Sequence, residues 1–328
     1  MEEIDFLIVW VDGNDPEWQK EKSQYCNNYD GDNSIIRFRD WNLLKYWFRG
    51  VEKYAPWVRK VHFVTWGHLP DWLDTSNEKL NIINHKDYIP REYLPTYNSH
   101  TIELNLHRIE GLSEQFVYFN DDMFLIKKTS IEDFFKEGLP VDSAVLSPII
   151  VSDINDIGYV VANNMGIINK YFNKNDVIKK SISKWVNIKY GKNLLRSLFL
   201  MPWRHFPGFF NDHLPQPFLK QTFVSLWEKE YDVIDSTCRN KLRNYHTDVS
   251  QWLARYWQLC ENRFMPSSIK RGKDLDVVKD DAADFIKRQR AKMICINDSD
   301  KIEDFERLRQ NIENAFNEIL GEKSSFEK

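Results

Sequence analysis

Paired cysteines are missing from this chain. The four present, Cys26, Cys238, Cys260 and Cys295, lie far apart and form no CxxC spacing. That argues against a disulfide framework or a structural zinc site and for a reducing compartment. No apolar run approaches bilayer length, residues 6–11 being among the longest. The N-terminus, Met1-Glu2-Glu3-Ile4-Asp5, is acidic where a secretory leader would be basic, so a cytoplasmic protein is expected. Basic runs are lacking too. Lysine and arginine are interspersed with acids and the net charge is −4, which speaks against a nucleic-acid partner. There is no GxGxxG fingerprint, internal repeat, low-complexity segment or linker.

What is present suffices for a substantial core. At 42% hydrophobic and 29% charged, the 328 residues fit one large α/β domain or one carrying an inserted lobe. Aromatics are plentiful, with 12 Trp. Such rings suit sugar-binding surfaces, although in a chain this size most are expected in the core.

The stretch that organises the rest is Phe116-Val117-Tyr118-Phe119-Asn120-Asp121-Asp122-Met123-Phe124. Its first four residues have the aromatic and β-branched character of a buried strand. Asn120-Asp121-Asp122 favour a turn, after which the chain is apolar again. Two adjacent carboxylates at a strand tip repel each other and lose solvation. Either a divalent cation with oxygen ligands offsets this, commonly bridging to substrate phosphates, or both acids sit in water in a plain turn.

Residues 4–11 read as a central strand covered on both faces. Asp12-Gly13-Asn14-Asp15-Pro16 follows, where doubly wound sheets place ligand contacts, though a simple Asp-Gly turn explains it equally. Residues 19–34 read as a polar loop. Arg37-Phe38-Arg39-Asp40 then leads into a helix with Leu43, Leu44, Trp47, Val51 and Tyr54 on its stripe. Strands are predicted at 60–66 and 80–84, the second followed by a loop at 85–87. Ser99 is the expected N-cap of a helix bearing Ile102, Leu106 and Ile109. His100, Glu103 and His107 recur a turn apart on it. The HExxH register is missing, so Glu103 alone is expected to face the active site.

Beyond 135, strands are expected at 144–152 and 159–168. Residues 178–210 interleave Lys184, Lys189, Lys192 and Arg196 with Trp185, Leu195, Phe199 and Trp203. That pattern fits a membrane surface, or a lobe helix with its apolar side in the core. A rigid turn holding His213, Pro215 and Pro217 starts a helix from 218. Arg239 and Arg243 fall one turn apart if that stretch is helical, and Thr247 or Asp248 is the expected cap of a helix through Trp252 and Trp257. A last strand at 291–296 ends in Asn297-Asp298, the second Asn-Asp pair to end an apolar strand, and residues 302–320 close as an amphipathic helix. Both pairs are expected at one edge of the sheet. Strands alternating with helices indicate a largely parallel sheet.

Four blocks carry a family likeness. They are Ile8-Val9-Trp10-Val11-Asp12-Gly13-Asn14-Asp15-Pro16; the long block from Arg39-Asp40 through Glu52-Lys53-Tyr54-Ala55-Pro56-Trp57 to Asn120-Asp121-Asp122-Met123-Phe124; His213-Leu214-Pro215 with Arg239, Arg243 and Asp248; and Cys295-Ile296-Asn297-Asp298 with Ser325-Phe326-Glu327-Lys328. In these the sequence resembles the Stealth family. That family includes bacterial capsular and cell-surface polysaccharide hexose-1-phosphate transferases, and the catalytic subunit of the animal lysosomal-enzyme N-acetylglucosamine-1-phosphotransferase.

The resemblance implies an α/β fold: a Rossmann-like, mostly parallel sheet with a glycosyltransferase-A-like core from 1–135 and 290–328, and an inserted, mainly helical acceptor lobe over about 136–289. It implies transfer of a hexose- or N-acetylhexosamine-1-phosphate from a UDP-sugar to a sugar hydroxyl, with UMP released. On that reading Asp121, Asp122, Asn297 and Asp298 hold Mg2+ or Mn2+, and Arg243, with Arg239 as the second choice, holds phosphoryl oxygens. His213 is the general base and Glu103 joins the catalytic set. Asp12 and Gly13 contact the nucleotide, while Asn98, Ser99, Asn120 and Asp248 complete the substrate contacts. The acceptor is a lipid-linked oligosaccharide or growing polysaccharide, with peripheral association at the inner membrane face. Two other classes stay open, a conventional metal-dependent glycosyltransferase releasing UDP and a non-catalytic saccharide-binding protein.

Overall fold

The computed structural model describes residues 3–26, 38–153 and 155–328. The apolar run at the start forms β1 (Ile4–Val9), buried in all but its last residue. Alternate side chains serve different layers: Ile4, Phe6 and Ile8 join one hydrophobic cluster, Leu7 another. The turn after it passes directly into α1 (Pro16–Cys26), with Asp15 Oδ1 accepting from the Glu17 and Trp18 amides. The expected 19–34 loop is therefore helical as far as Cys26, because a proline at the first helical position and an aspartate cap start a helix despite polar composition. The rest of that loop and Arg37 lie outside the described residues.

The stripe of α2 (Leu44–Tyr54) covers Phe6, Phe63 and Phe119. Gly50 permits its close approach to the strand after the acidic turn, since a Cβ there would stand 2.8 Å from the Leu125 carbonyl oxygen. β2 (Val61–Thr65) and β3 (Leu80–Asn84) follow as predicted. The expected loop at 85–87 is instead a short helix, α3 (His85–Tyr88), closed by a reciprocal Asn84–Asp87 capping box. In α4 (Ser99–Leu104) the cap is Asn98 and not Ser99, with Asn98 Oδ1 accepting from the His100 amide at 3.0 Å. The helix stops at Asn105, so His100, Glu103 and His107 share no continuous face. His100 turns to Asp248, and the His107 ring lies against Phe223 and Trp227.

β4 (Gln115–Asn120) and β5 (Met123–Leu125) flank the acidic turn, followed by a small hairpin, β6 (Phe135–Lys136) and β7 (Leu139–Asp142). Residues 144–152 form no strand, only a bridge from Leu146 to Phe209. Residues 159–168 are helical within α5 (Gly158–Tyr171). Their β-branched content suggested a strand, but Val160, Asn164 and Ile168 are buried at helical spacing, and Asn164 exchanges two hydrogen bonds with Ser250. α6 (Lys174–Lys180), α7 (Ile182–Trp185) and α8 (Asn193–Leu200) divide the basic aromatic stretch into short pieces. β8 (Gln216–Leu219) takes the start of the helix expected from 218, which begins instead as α9 (Lys220–Lys229). Pro217 is tolerated because β8 is an edge strand. After α10 (Tyr231–Arg239), helix α11 (Trp252–Cys260) begins beyond Asp248, which does not cap it. β9 (Met265–Pro266), β10 (Gly272–Asp276), α12 (Ala282–Lys287), β11 (Met293–Asn297) and α13 (Phe305–Leu320) complete the chain.

The protein is α/β with a mostly parallel central sheet of order β3-β2-β1-β4-β8, in which only β8 runs antiparallel to its neighbour. α2 and α13 cover one face and helices α5, α9 and α11 the other. Segment 136–289 contains helices α5 to α12 and also supplies β8 to this sheet and β10 to a second one, β10-β11-β5. β5 pairs antiparallel with β11, Met123 opposite Cys295. The Asp121–Asp122 turn is thus the corner where the chain leaves one sheet for the other. The Ile296 amide donates to the Asp122 carbonyl at 2.9 Å, so the two Asn-Asp pairs meet at a junction of two sheets and not along one sheet edge.

Candidate active site

At that corner, beyond the C-terminal ends of β1 and β4, lies a cavity of about 520 Å³. It gathers Ser99, Glu103, Asn120, Asp121, Asp122, His213, Arg243, Asn297 and Asp298 from segments far apart in sequence. Trp10, Trp18, Trp41 and Trp252 supply aromatic walls.

One polar chain crosses the site. The Tyr118 hydroxyl lies 3.2 Å from Glu103 Oε1 and 2.5 Å from Asn120 Oδ1. Asn120 Nδ2 lies 3.1 Å from His213 Nε2. On the far side His213 Nδ1 is 3.4 Å from Asn297 Oδ1, and Asn297 Nδ2 donates to Asp274 Oδ1 at 2.6 Å. These contacts assign the imidazole proton to Nδ1 and leave the Nε2 lone pair facing the Asn120 amide.

The carboxylates are crowded. Asp121 is reachable from the cavity yet enclosed by protein, and that enclosure, with the charges of Asp122 and Asp40, pushes its carboxyl up to about 8. Asp40 is raised as well, mainly by burial and then by Asp12. Asp122 Oδ1 is buried and accepts no hydrogen bond. An oxygen without a donor beside an acid that resists ionising is a site short of positive charge. Asp298 does not share this state: Arg39 holds both its oxygens, Nε to Oδ2 at 2.7 Å and Nη2 to Oδ1 at 2.5 Å, while stacking on Phe305. Arg243 reaches the Ser99 hydroxyl at 2.7 and 3.1 Å and pairs with no carboxylate among the described residues.

Five expected site residues stay outside the cavity lining. Arg239 ends α10 on the surface, paired with Asp235 at 2.8 Å, because the helix stops there and sends Arg243 in another direction. Asp248 is fully buried and takes hydrogen bonds from Asn98, Asn240 and the Asn244 amide, with His100 3.1 Å away. It clamps the start of α4 to the loop carrying Arg243. Asn98 is buried in the same clamp. Asp12 receives the Asn14 amide and Gly13 borders an adjoining cavity shared with Arg39 and Asp40.

Comparison with known proteins agrees with the first two sequence blocks. Residues 2–30 match the model described as Stealth protein CR1, conserved region 1, and residues 37–141 match Stealth protein CR2, conserved region 2. The capsular polysaccharide phosphotransferase WcwK of Streptococcus pneumoniae is 44% identical over 333 residues, covering 100% of this chain and 99% of the relative. The chain belongs to the Stealth family. Further relatives are the exopolysaccharide phosphotransferase cps2G of Lactiplantibacillus plantarum, 41% identical over 99% of this chain and 96% of its own, and the receptor polysaccharide phosphotransferase WefC of Streptococcus oralis, 39% identical over 100% of both. Among solved structures, a galactosyltransferase LgtC complex aligns over 94% of this chain and 95% of that one at 8% identity and a TM-score of 0.40.

In this Stealth protein, sequence reasoning missed several residues that frame the site. Arg39 and Asp40 stood in the family block without an assigned role. Cys295 alternates with Asn297 on β11 and so shares its face, a signal that period-two reading supplies. Tyr118 lay in the central strand and was read only as apolar. Asp274 sits in a short polar strand with no local mark of function.

Proposed function

We propose that this cavity transfers a hexose- or N-acetylhexosamine-1-phosphate from a UDP-sugar to a sugar hydroxyl, forming a phosphodiester of a cell-surface polysaccharide and releasing UMP. The observation that carries the reading is the convergence in one cavity of Asp121 and Asp122, an Arg243 with no acidic partner among the described residues, and a hydrogen-bonded His213. The relatives' names, phosphotransferases of capsular, exo- and receptor polysaccharide, support it.

The Arg243 fork suits two phosphoryl oxygens, and the neutral Ser99 hydroxyl it now touches is a contact substrate can replace. His213 Nε2 takes the acceptor proton once the hydroxyl supplants the Asn120 amide. The acceptor oxygen then attacks the β-phosphorus in line and UMP departs, so the anomeric C–O bond is never broken. Asn297, held by Asp274, steadies the imidazolium through Nδ1. Asp121 and Asp122 fit a divalent cation, Mg2+ or Mn2+, because one oxygen lacks a donor and the neighbouring acid is crowded by negative charge. When bound, such a cation neutralises diphosphate charge. Asp298, tied to Arg39, is left out of that set. A conventional glycosyltransferase would use the same acids and release UDP. Chromatography of the nucleotide freed from a panel of UDP-sugars decides: UMP supports the proposal, and UDP as sole product refutes it.

The acceptor in this reading is a lipid-linked oligosaccharide or growing polysaccharide met at an anionic membrane surface, with the mainly helical 136–289 segment as its lobe. Among the described residues, no helix is long and apolar enough to cross a membrane. The support for surface contact is the 182–203 region, where Ile188 is 90% and Phe199 81% exposed beside exposed Lys189, Lys192 and Arg204.

A further inference from the structure

Behind one wall of the cavity, formed in part by Asp122 and His213, the buried Cys295 brings a third ligand type close. An oxygen of Asp122, a ring nitrogen of His213 and Sγ of Cys295 all lie within 4.8 Å of one another. Sγ stands 3.7 Å from His213 Nδ1. Tetrahedral zinc, with bonds of about 2.3 Å to sulfur and about 2.0 Å to nitrogen, separates those atoms by roughly 3.5 Å. The two side chains therefore need to move only by tenths of an ångström. The third ligand adjoins them, since the Asp122 carboxylate is in side-chain contact with the Cys295 thiol and its Oδ1 is buried without a partner. Competition at Nδ1 is weak, the Asn297 contact being long at 3.4 Å.

We propose that Asp122, His213 and Cys295 form a site for a soft or borderline divalent cation of the zinc class, and that its occupation switches transfer off. Thiolate and imidazole select zinc over magnesium or manganese, which prefer all-oxygen shells. Binding exchanges the thiol proton for the metal: a metal–sulfur bond forms, the S–H bond breaks, and the proton leaves to solvent with no change of oxidation state. Nδ1 joins the metal, so the imidazole proton moves to Nε2. Asn120 then turns its amide oxygen to that N–H, and its NH2 group meets the Tyr118 hydroxyl, which donates to Glu103. Asn120, Tyr118 and Glu103 stay satisfied, in the arrangement by which metal-bound histidines are ordinarily oriented, and only the long Nδ1 contact to Asn297 Oδ1 is given up.

The switching half rests on the proposed function: His213 with Nε2 protonated cannot accept the acceptor's proton, and the shared Asp122 is lost to the activating cation. The binding half stands without it. The test uses the full chain and Co2+ as a visible probe. The wild type should take up one equivalent with a thiolate-to-cobalt band in the near ultraviolet, and Zn2+, measured against a chromophoric chelator, should displace it. Cys295→Ser and Cys295→Ala, checked for an unchanged Tm, should lose that band and weaken Zn2+ binding at least tenfold. A wild type without the band, or variants that keep tight stoichiometric Zn2+ binding, would overturn the site. In Mg2+-supplied assays Zn2+ should inhibit the wild type, while both variants, each measured against its own zinc-free rate, need at least tenfold more Zn2+ for the same fractional inhibition. Cobalt and zinc binding without inhibition would overturn the switch and leave the site standing.

Discussion

Arg39 and Asp298 are bound by two parallel hydrogen bonds, of 2.7 and 2.5 Å, that join the segment before α2 to the end of β11. The pair neutralises a carboxylate that the sequence pattern had assigned to a metal. Asp298→Asn should accordingly leave the Mg2+ or Mn2+ concentration for half-maximal activity within about threefold of wild type, the loss appearing as a lower Tm. Asp122→Asn should cut turnover by orders of magnitude, because charge stabilisation by a metal contributes several kcal/mol. Metal titrations of the two variants separate them. A large metal shift in Asp298→Asn with normal stability would restore Asp298 to the metal site.

Asp121 gives a pH prediction with a definite sign. Enclosure and the neighbouring acids raise its carboxyl from the ordinary 3.8 to about 8, so the native state holds this proton more tightly than the unfolded chain does. The resulting stability is complete below about pH 4 and is lost as pH rises toward 8. Asp40 and Asp274, raised chiefly by burial, act in the same direction. In EDTA, the Tm difference between Asp121→Asn and wild type should grow in favour of the variant from pH 5 to pH 8. Saturating Mg2+ should shrink it by favouring the ionised wild-type pair. Differential scanning calorimetry across that range checks the slope, and a flat difference would refute it.

The Asp248 clamp predicts an effect on catalysis without substrate contact. Its carboxylate fixes the loop of Arg243 against the start of α4. Asp248→Asn keeps the shape but turns one accepting oxygen into a donor that faces other donors. Turnover should fall by about a hundredfold, the scale of a misplacement near 1 Å, with a higher KM for the UDP-sugar. Arg239→Ala, on the surface, should change neither parameter beyond about twofold.

The parts of this protein legible in its sequence are those fixed by local chemistry. β1 and β4 are continuous apolar runs ended by turn-forming acids, and those signals need no partner. The acidic corner was legible for the same reason. Asp248 was misread because the groups that claim it lie elsewhere: it looks like a helix cap from its neighbours, but its Asn98 partner is 150 residues away. α5 was misread because its β-branched residues suit a strand until Ser250 supplies a partner for Asn164. Arg243 was the first choice and Arg239 the second for the phosphoryl oxygens, and the end of α10 between them separates a surface ion pair from a cavity cation.

The exposed apolar residues of 182–203 give the last prediction. Trp185, which the sequence grouped with them, is buried, and Lys184 donates to the Asn262 and Phe264 carbonyls, so neither contributes to a surface. What remains is Ile188 and Phe199 with Lys192 and Arg204, and with Lys189, which stays exposed although it donates to the Pro266 carbonyl. Each cation near anionic lipid contributes about 1 kcal/mol, screened by salt, while inserted apolar side chains add a part that salt does not weaken. The protein should cosediment reversibly with anionic liposomes at low salt and retain a fraction at high salt. Lys189→Glu with Lys192→Glu should remove the salt-sensitive fraction, and Ile188→Ser with Phe199→Ser the remainder. Equal recovery on neutral and anionic vesicles, or none on either, would rule out this surface as the route to a lipid-linked acceptor.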